Sequence, residues 1–98
     1  MENRMTTFKE KVLDIVRNIN RGEVMTYAEV AKRANAIGAA RAVGSIMKNN
    51  YDSTVPCHRV IKSGGTIGDY NRGGKAKKME ILKSEGVEFV GDRVVNLK

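Results

Sequence analysis

The strongest constraint on the fold is a helix-start signal that occurs twice in the first third of the chain. Thr7 is followed three residues later by Glu10, and apolar residues then recur at helical intervals. Thr26 is followed in the same way by Glu29. This is the spacing of a capping box, in which two side chains satisfy backbone N–H groups at a helix start. It predicts a helix over roughly residues 7 to 20 and a second, short helix after Thr26.

A helix rich in small residues follows. Residues 35 to 38, with the sequence Asn-Ala-Ile-Gly, break the helical pattern, which resumes over residues 39 to 48. The alanines and glycine in this stretch permit close packing between helices. Two short helices joined by a glycine-containing turn are typical of a helix–turn–helix, but also of an ordinary helical hairpin. The pattern alone leaves both structures open.

The next segment is polar and contains one compact apolar-bounded string. Residues 49 to 74 are predicted to form a loop, and residues 55 to 61 stand out within it as Val-Pro-Cys-His-Arg-Val-Ile. Helical spacing returns from Lys75 to Ser84, and Gly86 is a natural stop. This helix is predicted to carry a basic face and to turn three residues inward, Ala76, Met79 and Leu82.

The last residues alternate between apolar and polar side chains. Residues 87 to 90 and 93 to 97 flank a Gly-Asp turn, which predicts a β-hairpin that covers one side of the core. No repeat or linker divides the chain. We therefore expect a single domain over residues 1 to 98 that is mainly α-helical, with a small β-hairpin and a winged-helix-like helix–turn–helix.

The charge balance indicates a class of partner. The chain carries 18 Lys and Arg residues against 11 Asp and Glu residues, for a net charge of +7. Such an excess favours a polyanion, with nucleic acid as the first candidate, because lysine and arginine neutralise phosphates. An unspecialised basic surface has the same composition.

Cys57 and His58 are the only cysteine and the only histidine. A lone cysteine forms no internal disulfide, and these two residues cannot form a zinc site without carboxylates or ligands from another chain. The lone cysteine indicates a reducing compartment. We expect a cytoplasmic protein, because the chain has neither a signal segment nor an apolar run long enough to cross a bilayer. We also expect a monomer without cofactor or metal.

Adjacent side chains such as Cys57 and His58 cooperate only where the backbone turns or a water molecule bridges them. Pro56 helps to fix that backbone. The imidazole and Arg59 would favour the thiolate, a soft nucleophile suited to attack on carbon. Each residue also has an ordinary explanation: a small buried hydrophobe for Cys57, a hydrogen-bonded structural residue for His58, and a surface charge or carboxylate partner for Arg59.

The string from Pro56 to Val60 resembles the active-site signature of the O6-alkylguanine-DNA alkyltransferases, also called methylated-DNA–protein-cysteine methyltransferases. The resemblance extends from about Phe8 to Glu85. It includes three further motifs, Gly22-x-Val24-x-Thr26-Tyr27, Ala40-Arg41-Ala42-Val43-Gly44 and Gly65-x-Ile67-Gly68-x-Tyr70.

This resemblance implies DNA repair by base flipping, because a stacked guanine cannot present its O6-alkyl carbon to sulfur. Cys57 would accept the alkyl group in one irreversible, stoichiometric transfer. His58 would act through a water molecule as the general base, and Glu85 would orient it. Tyr27 would help to rotate the phosphate and donate a proton as guanine leaves, although it would also suit the core.

The resemblance also implies how the protein binds double-stranded DNA that contains O6-alkylguanine. Residues 39 to 48 would form a recognition helix in the minor groove, where small residues fit the narrow space. Arg41 would enter the base stack in place of the flipped guanine; otherwise it is a solvated helix arginine. The other DNA-binding residues implied are Ala40, Gly44, Ser45 and Tyr27.

The substrate pocket implied by the resemblance is formed by Met47, Val60, Tyr70 and Asn71, with the loop around Asn71 offering donors to the guanine O6. Met47 would equally suit the core, and Tyr70 could anchor a loop. Asn50 would join the recognition helix to the active-site strand by satisfying backbone groups of the turn. On the last helix, Lys77 and Lys78 would contact phosphate or solvent.

Two features depart from the family. Many members carry an additional N-terminal domain, whereas this chain begins almost directly at the first helix, so we expect the catalytic module to stand alone. Tyr51 occupies a position that is often proline, and residues 71 to 74 form a longer run before the last helix. The width of the pocket, and hence the preferred alkyl group, stays open.

Three other functions remain open. The first is a noncatalytic alkyltransferase-like damage sensor, a group in which the cysteine is replaced. The second is a helix–turn–helix regulator, which would prefer one DNA sequence. The third is a redox or metal-binding domain, for which one cysteine and one histidine supply too few groups.

Overall fold

The computed structural model describes residues 7 to 68 and 70 to 95. Over these ranges the chain is mainly helical, with two pairs of very short strands. In chain order the elements are α1 (Phe8–Arg17), β1 (Met25–Thr26), α2 (Tyr27–Arg33), α3 (Ala40–Lys48), a 3₁₀ turn (Cys57–Arg59), β2 (Val60–Ile61), α4 (Gly74–Ser84), β3 (Phe89–Val90) and β4 (Arg93–Val94). No helix in the described ranges is long and apolar enough to span a membrane.

The first helix begins where the sequence predicts and ends early. The Glu10 N–H donates to Thr7 Oγ1 at 3.1 Å, and the Thr7 N–H donates to the Glu10 carboxylate at 3.0 Å, which confirms the capping box. The predicted end near residue 20 is wrong. Asn18 Nδ2 instead donates to the Asp14 carbonyl at 2.8 Å, and such side-chain bonds compete with the helical ladder.

The second and third helices form the helix–turn–helix. Thr26 Oγ1 accepts the Glu29 N–H at 3.0 Å, whereas the Glu29 carboxylate accepts from Arg33 Nε at 2.8 Å, so only half of the second capping box forms. The turn between α2 and α3 contains two residues of positive φ, Asn35 at 63° and Gly38 at 91°. A glycine adopts this conformation without steric cost, which explains the break in the helical pattern.

Residues 49 to 74 are not purely a loop, and that prediction is wrong. β1 and β2 pair in parallel, with Met25 opposite Val60 and Thr26 opposite Ile61. Two-residue strands leave no alternating pattern in the sequence, and each partner here lies far away along the chain. This pairing fixes the positions of the two residues that follow the 3₁₀ turn.

Strand β2 divides the buried side chains between two clusters. Val60 packs in a cluster with residues of α1, α2 and α3, whereas Ile61 packs in a second cluster with Leu82 of α4 and Val94 of β4. Consecutive strand residues point to opposite sides, so a two-residue strand serves both clusters. The Cys57–Arg59 turn is thereby held between the helix–turn–helix and α4.

Helix α4 begins one residue before the predicted start and turns a different face inward. Leu82 is fully buried and Met79 is half-buried, as predicted. Ala76 is exposed, and Lys78 is only 1% exposed. The predicted inward position of Ala76 is therefore wrong, because the packed face of this helix includes a lysine.

The predicted β-hairpin is confirmed. β3 and β4 pair in antiparallel fashion around a turn at Gly91. The Val94 N–H donates to the Gly65 carbonyl at 2.9 Å and fastens the hairpin over the second cluster. Asn96 and Leu97, predicted to extend its second arm, lie outside the described residues. A mainly α-helical, winged-helix-like helix–turn–helix is the observed fold class.

Candidate active site

Pro56 sets the backbone that presents the cysteine. Its φ of −78° and ψ of 72° are those of an inverse γ-turn, and the Cys57 N–H donates to the Val55 carbonyl at 2.8 Å. The chain then continues as the Cys57–Arg59 turn. The backbone therefore turns at Cys57 and His58, as their cooperation requires.

Cys57 lies at the border of a cavity. Its side chain belongs to the core cluster and is 5% exposed, yet it lines a cavity of about 720 Å³. This volume is in the usual range of small-molecule sites. A residue that packs like an ordinary buried hydrophobe thus also faces a space that a ligand can enter.

Asn50 contacts the sulfur directly. Its Nδ2 donates to Cys57 Sγ at 3.0 Å, and its Oδ1 accepts from the Asp52 N–H at 3.4 Å. The second contact is of the kind predicted for this residue, but the first is not foreseen by the sequence. An amide donor aimed at sulfur stabilises negative charge on that atom.

The neighbouring imidazole belongs to a buried ionic cluster. His58 Nε2 lies 2.9 Å from Glu85 Oε2, and the side chains of these residues are 14% and 6% exposed. Arg59 donates to both carboxylate oxygens of Glu85, at 3.0 and 2.9 Å, and to the Ile19 carbonyl at 2.8 Å. The ring of Tyr70 meets the imidazole edge-on at 6.4 Å. The imidazole is therefore held on two sides.

The cluster sets the charge states of its members. Burial lowers the pKa of His58 below its ordinary value, although the Glu85 carboxylate opposes this effect. Burial alone would raise the pKa of Glu85, but the hydrogen bonds from Arg59 and His58 hold it below its ordinary value. At neutral pH the cluster therefore contains a carboxylate and an uncharged imidazole. With Nε2 donating to Glu85, the lone pair of the imidazole is on Nδ1.

The cavity brings together most of the residues that the sequence predicts for the pocket and for DNA. The predicted residues that line it with Cys57 are Tyr27, Ala40, Arg41, Gly44, Met47, Tyr70 and Asn71. Ser45 is exposed on α3 but does not line the cavity. Val60 is fully buried in the core and is not among the residues that line the cavity. The β1–β2 pairing turns it towards the core, and its place in the pocket stays a prediction.

Asn71 borders the cavity, but its amide nitrogen is already engaged. Its Nδ2 donates to the carbonyls of Met47, Lys48 and Asn50 at 3.2, 2.7 and 2.9 Å. These carbonyls lie at and beyond the end of α3, where helices leave backbone acceptors unsatisfied. The side chain of Asn71 thus ties the end of α3 to the loop before α4, and donation to guanine O6 from the loop around Asn71 stays a prediction.

The two lysines predicted to contact phosphate or solvent differ from each other. Lys77 is exposed and lies 3.4 Å from the Glu80 carboxylate. Lys78 is buried, and its ammonium lies 5.7 Å from the centre of the Tyr27 ring. A buried ammonium cannot contact DNA or bulk solvent, so the prediction for Lys78 is wrong.

The cavity has a basic lining that the sequence does not reveal. Lys48, Lys62 and Ser63 join Arg41 along it, and none of the described lining residues is acidic. No local pattern distinguishes Lys48 or Lys62 from other surface lysines. Within the described ranges, no group of three His, Cys, Asp or Glu side chains could hold a metal ion.

Comparison with known proteins places the chain in a family. Residues 7 to 87 match the family described as 6-O-methylguanine DNA methyltransferase, DNA binding domain. A methylated-DNA–protein-cysteine methyltransferase of Methanothermobacter thermautotrophicus is 45% identical over 87 residues, which cover 88% of this chain and 48% of that protein. The chain thus spans about half the length of this relative.

A shorter relative matches over most of its length. Alkyltransferase-like protein 1 of Schizosaccharomyces pombe is 40% identical over 100 residues, which cover 96% of this chain and 93% of that protein. The crystal structure of S. pombe Atl1 with damaged DNA containing O6-carboxymethylguanine matches with a TM-score of 0.76 at 35% identity, and covers 100% of this chain and 93% of that one. The chain described here therefore belongs to the 6-O-methylguanine DNA methyltransferase family.

Proposed function

We propose that this chain takes an alkyl group from O6-alkylguanine in DNA onto Cys57, in a single irreversible transfer. The observation that carries the proposal is the position of the Cys57 sulfur, which borders a ligand-sized cavity and accepts a hydrogen bond from Asn50. The adjacent His58–Glu85 pair supplies a neutral base. The M. thermautotrophicus relative, a methyltransferase by name, supports the reaction class.

Double-stranded DNA is the proposed partner. The net charge of +7 favours a polyanion, and the related Atl1 was crystallised with damaged DNA. Ala40, Arg41 and Gly44 line the cavity from α3, so a helix placed in the minor groove would bring the cavity to the duplex. Arg41 is exposed and would occupy the gap left by the flipped guanine.

The chemistry is a displacement at carbon. The Cys57 thiol gives its proton through a water molecule to Nδ1 of His58, and the sulfur then forms a bond to the alkyl carbon. The bond from that carbon to guanine O6 breaks, and its electron pair leaves with the base. Tyr27 donates a proton to the departing guanine and then takes a proton from solvent. His58 releases to solvent the proton that it received from the thiol. The product on Cys57 is a thioether, so each molecule reacts once.

A noncatalytic damage sensor is the second candidate function. It is favoured by the match to alkyltransferase-like protein 1, of which the chain covers 93%. Such a protein would bind the flipped base and transfer nothing. Cys57 supports the transferase, because a sensor has no need of a nucleophile.

Intact-protein mass spectrometry separates the two functions. After mixing with duplex DNA that contains O6-methylguanine, we expect a gain of about 14 Da on Cys57, up to one methyl per protein molecule. Cys57→Ala should lose the gain and still bind the duplex. Binding by the unaltered chain without any mass gain would contradict the transferase and support the sensor.

A further inference from the structure

Lys62 and Tyr27 both line the cavity, and both approach the same glycine, Gly68. A Cβ atom on Gly68 would lie 3.5 Å from Lys62 Cε and 3.6 Å from the Tyr27 hydroxyl, so these two groups are at most about 7 Å apart. Gly68 has a φ of +71°. A side chain at this position would make only ordinary van der Waals contacts with both groups, so the lysine stem and the tyrosine hydroxyl flank the same backbone position.

The backbone that carries Lys62 is held by two hydrogen bonds. Its N–H donates to the Thr66 carbonyl at 2.8 Å, and its carbonyl accepts the Gly65 N–H at 3.1 Å. The side chain is exposed and makes no ion pair or hydrogen bond with a described residue. The lysine thus projects a positive charge from a fixed turn into a cavity whose described lining contains no acidic residue.

A nucleotide that reacts with Cys57 must place its base in this cavity while its sugar and phosphates stay at the entrance. We propose that Lys62, with the hydroxyls of Tyr27 and Ser63, forms a subsite for an oxyanion of the modified nucleotide. This inference rests on the proposed function. The oxyanion is a phosphate beside the flipped base or a carboxylate on the O6 substituent, since ammonium and hydroxyl donors bind both.

Lys62→Met tests the subsite, because methionine keeps an apolar stem and removes the charge. Lys62→Arg keeps the charge. Lys11→Met is the matched control, since Lys11 is exposed on α1 and does not line the cavity. For each variant, the rate of alkyl transfer and the affinity are measured on duplexes that contain O6-methylguanine or O6-carboxymethylguanine.

A second pair of duplexes identifies the phosphate. In these, one phosphate on the 5′ or the 3′ side of O6-methylguanine is replaced by a neutral methylphosphonate. If Lys62 contacts that phosphate, Lys62→Met should slow transfer about three- to fivefold on the ordinary duplex and have little effect on the neutral one. It should also reduce the slope of log affinity against log salt concentration by about 0.9. Lys62→Arg should retain most of the rate.

A loss confined to the carboxymethyl duplex would support the subsite with a carboxylate as its ligand. Two results would overturn it: Lys62→Met equal to the unaltered chain on every duplex, or a loss that is the same with and without the neutral linkages. Failure of the proposed function would look different. In that case the unaltered chain gains no mass, while the affinities on the same duplexes still report whether Lys62 contacts an oxyanion.

Discussion

Replacing Glu85 with glutamine should slow alkyl transfer far more than it weakens the fold. The carboxylate is 6% exposed and accepts hydrogen bonds from both His58 and Arg59. Glutamine has almost the same size, but it carries no charge and presents an NH₂ group in place of one oxygen. The substitution therefore changes hydrogen-bond polarity without leaving a void.

The expected rate loss follows from the imidazole tautomer. When the glutamine oxygen accepts from Arg59, its NH₂ group faces His58 Nε2, which must then accept a hydrogen bond instead of donating one. The imidazole proton moves to Nδ1, the nitrogen that we propose takes the proton of the thiol. Loss of a general base lowers a rate by roughly 100-fold or more. Raising the pH should not restore the rate, because Glu85 raises the pKa of His58 and its loss keeps the ring neutral.

The expected loss of stability comes from Arg59. Its guanidinium is 16% exposed and exchanges two hydrogen bonds to a carboxylate for one hydrogen bond to an uncharged amide oxygen. This change should lower the free energy of unfolding by about 2 to 3 kcal/mol. For a domain of this size the midpoint of thermal unfolding should fall by roughly 10 to 20 °C.

The assay is a quenched time course of the mass gain on Cys57 at a temperature where circular dichroism shows the variant to be folded. Glu29→Gln is the matched control, since Glu29 pairs with Arg33 at the surface of α2. This substitution should leave the rate of alkyl transfer unchanged and have little effect on the unfolding temperature. A folded Glu85→Gln protein that transfers methyl within about twofold of the unaltered rate would refute the reasoning, because general-base loss has a far larger effect.

Three further predictions concern stability. The fold should weaken in acid, because His58 and Glu85 both have lowered pKa values and the unfolded chain therefore binds more protons. The contribution of these two residues to the free energy of unfolding should be complete at pH 8 and decline below about pH 6.5, where histidine in the unfolded chain becomes protonated. An unfolding temperature that stays constant from pH 8 to pH 4 would argue against this prediction. Asn71→Ala should lower the free energy of unfolding by about 1 to 3 kcal/mol in urea titrations, because it releases carbonyls at the end of α3; an unchanged urea midpoint would contradict that role. Val60→Ala should destabilise the chain by about 2 kcal/mol and leave the transfer rate of the folded protein unchanged. A changed rate of alkyl transfer by the folded variant would instead support a place for Val60 in the pocket.

Local signals in the sequence predicted the helical part of the fold. The Thr7 and Thr26 caps, the glycine turn before α3 and the hairpin turn at Gly91 each depend on residues a few positions apart. Such short-range preferences can be interpreted without knowledge of the remaining chain. The resemblance around Cys57 identified the candidate site residues in the same way, because its motifs are contiguous in the sequence.

Tertiary structure alone decided how those residues meet. The Asn50 contact with the sulfur and the Arg59–Glu85 pair join segments whose approach no local pattern encodes. Two-residue strands directed Val60 into the core, and the packing of α4 buried Lys78 where the sequence indicated a solvated face. The physical reason is that burial and pairing depend on which distant surface covers a residue. The sequence by itself therefore identified the chemical groups, and packing determined which of them face the cavity.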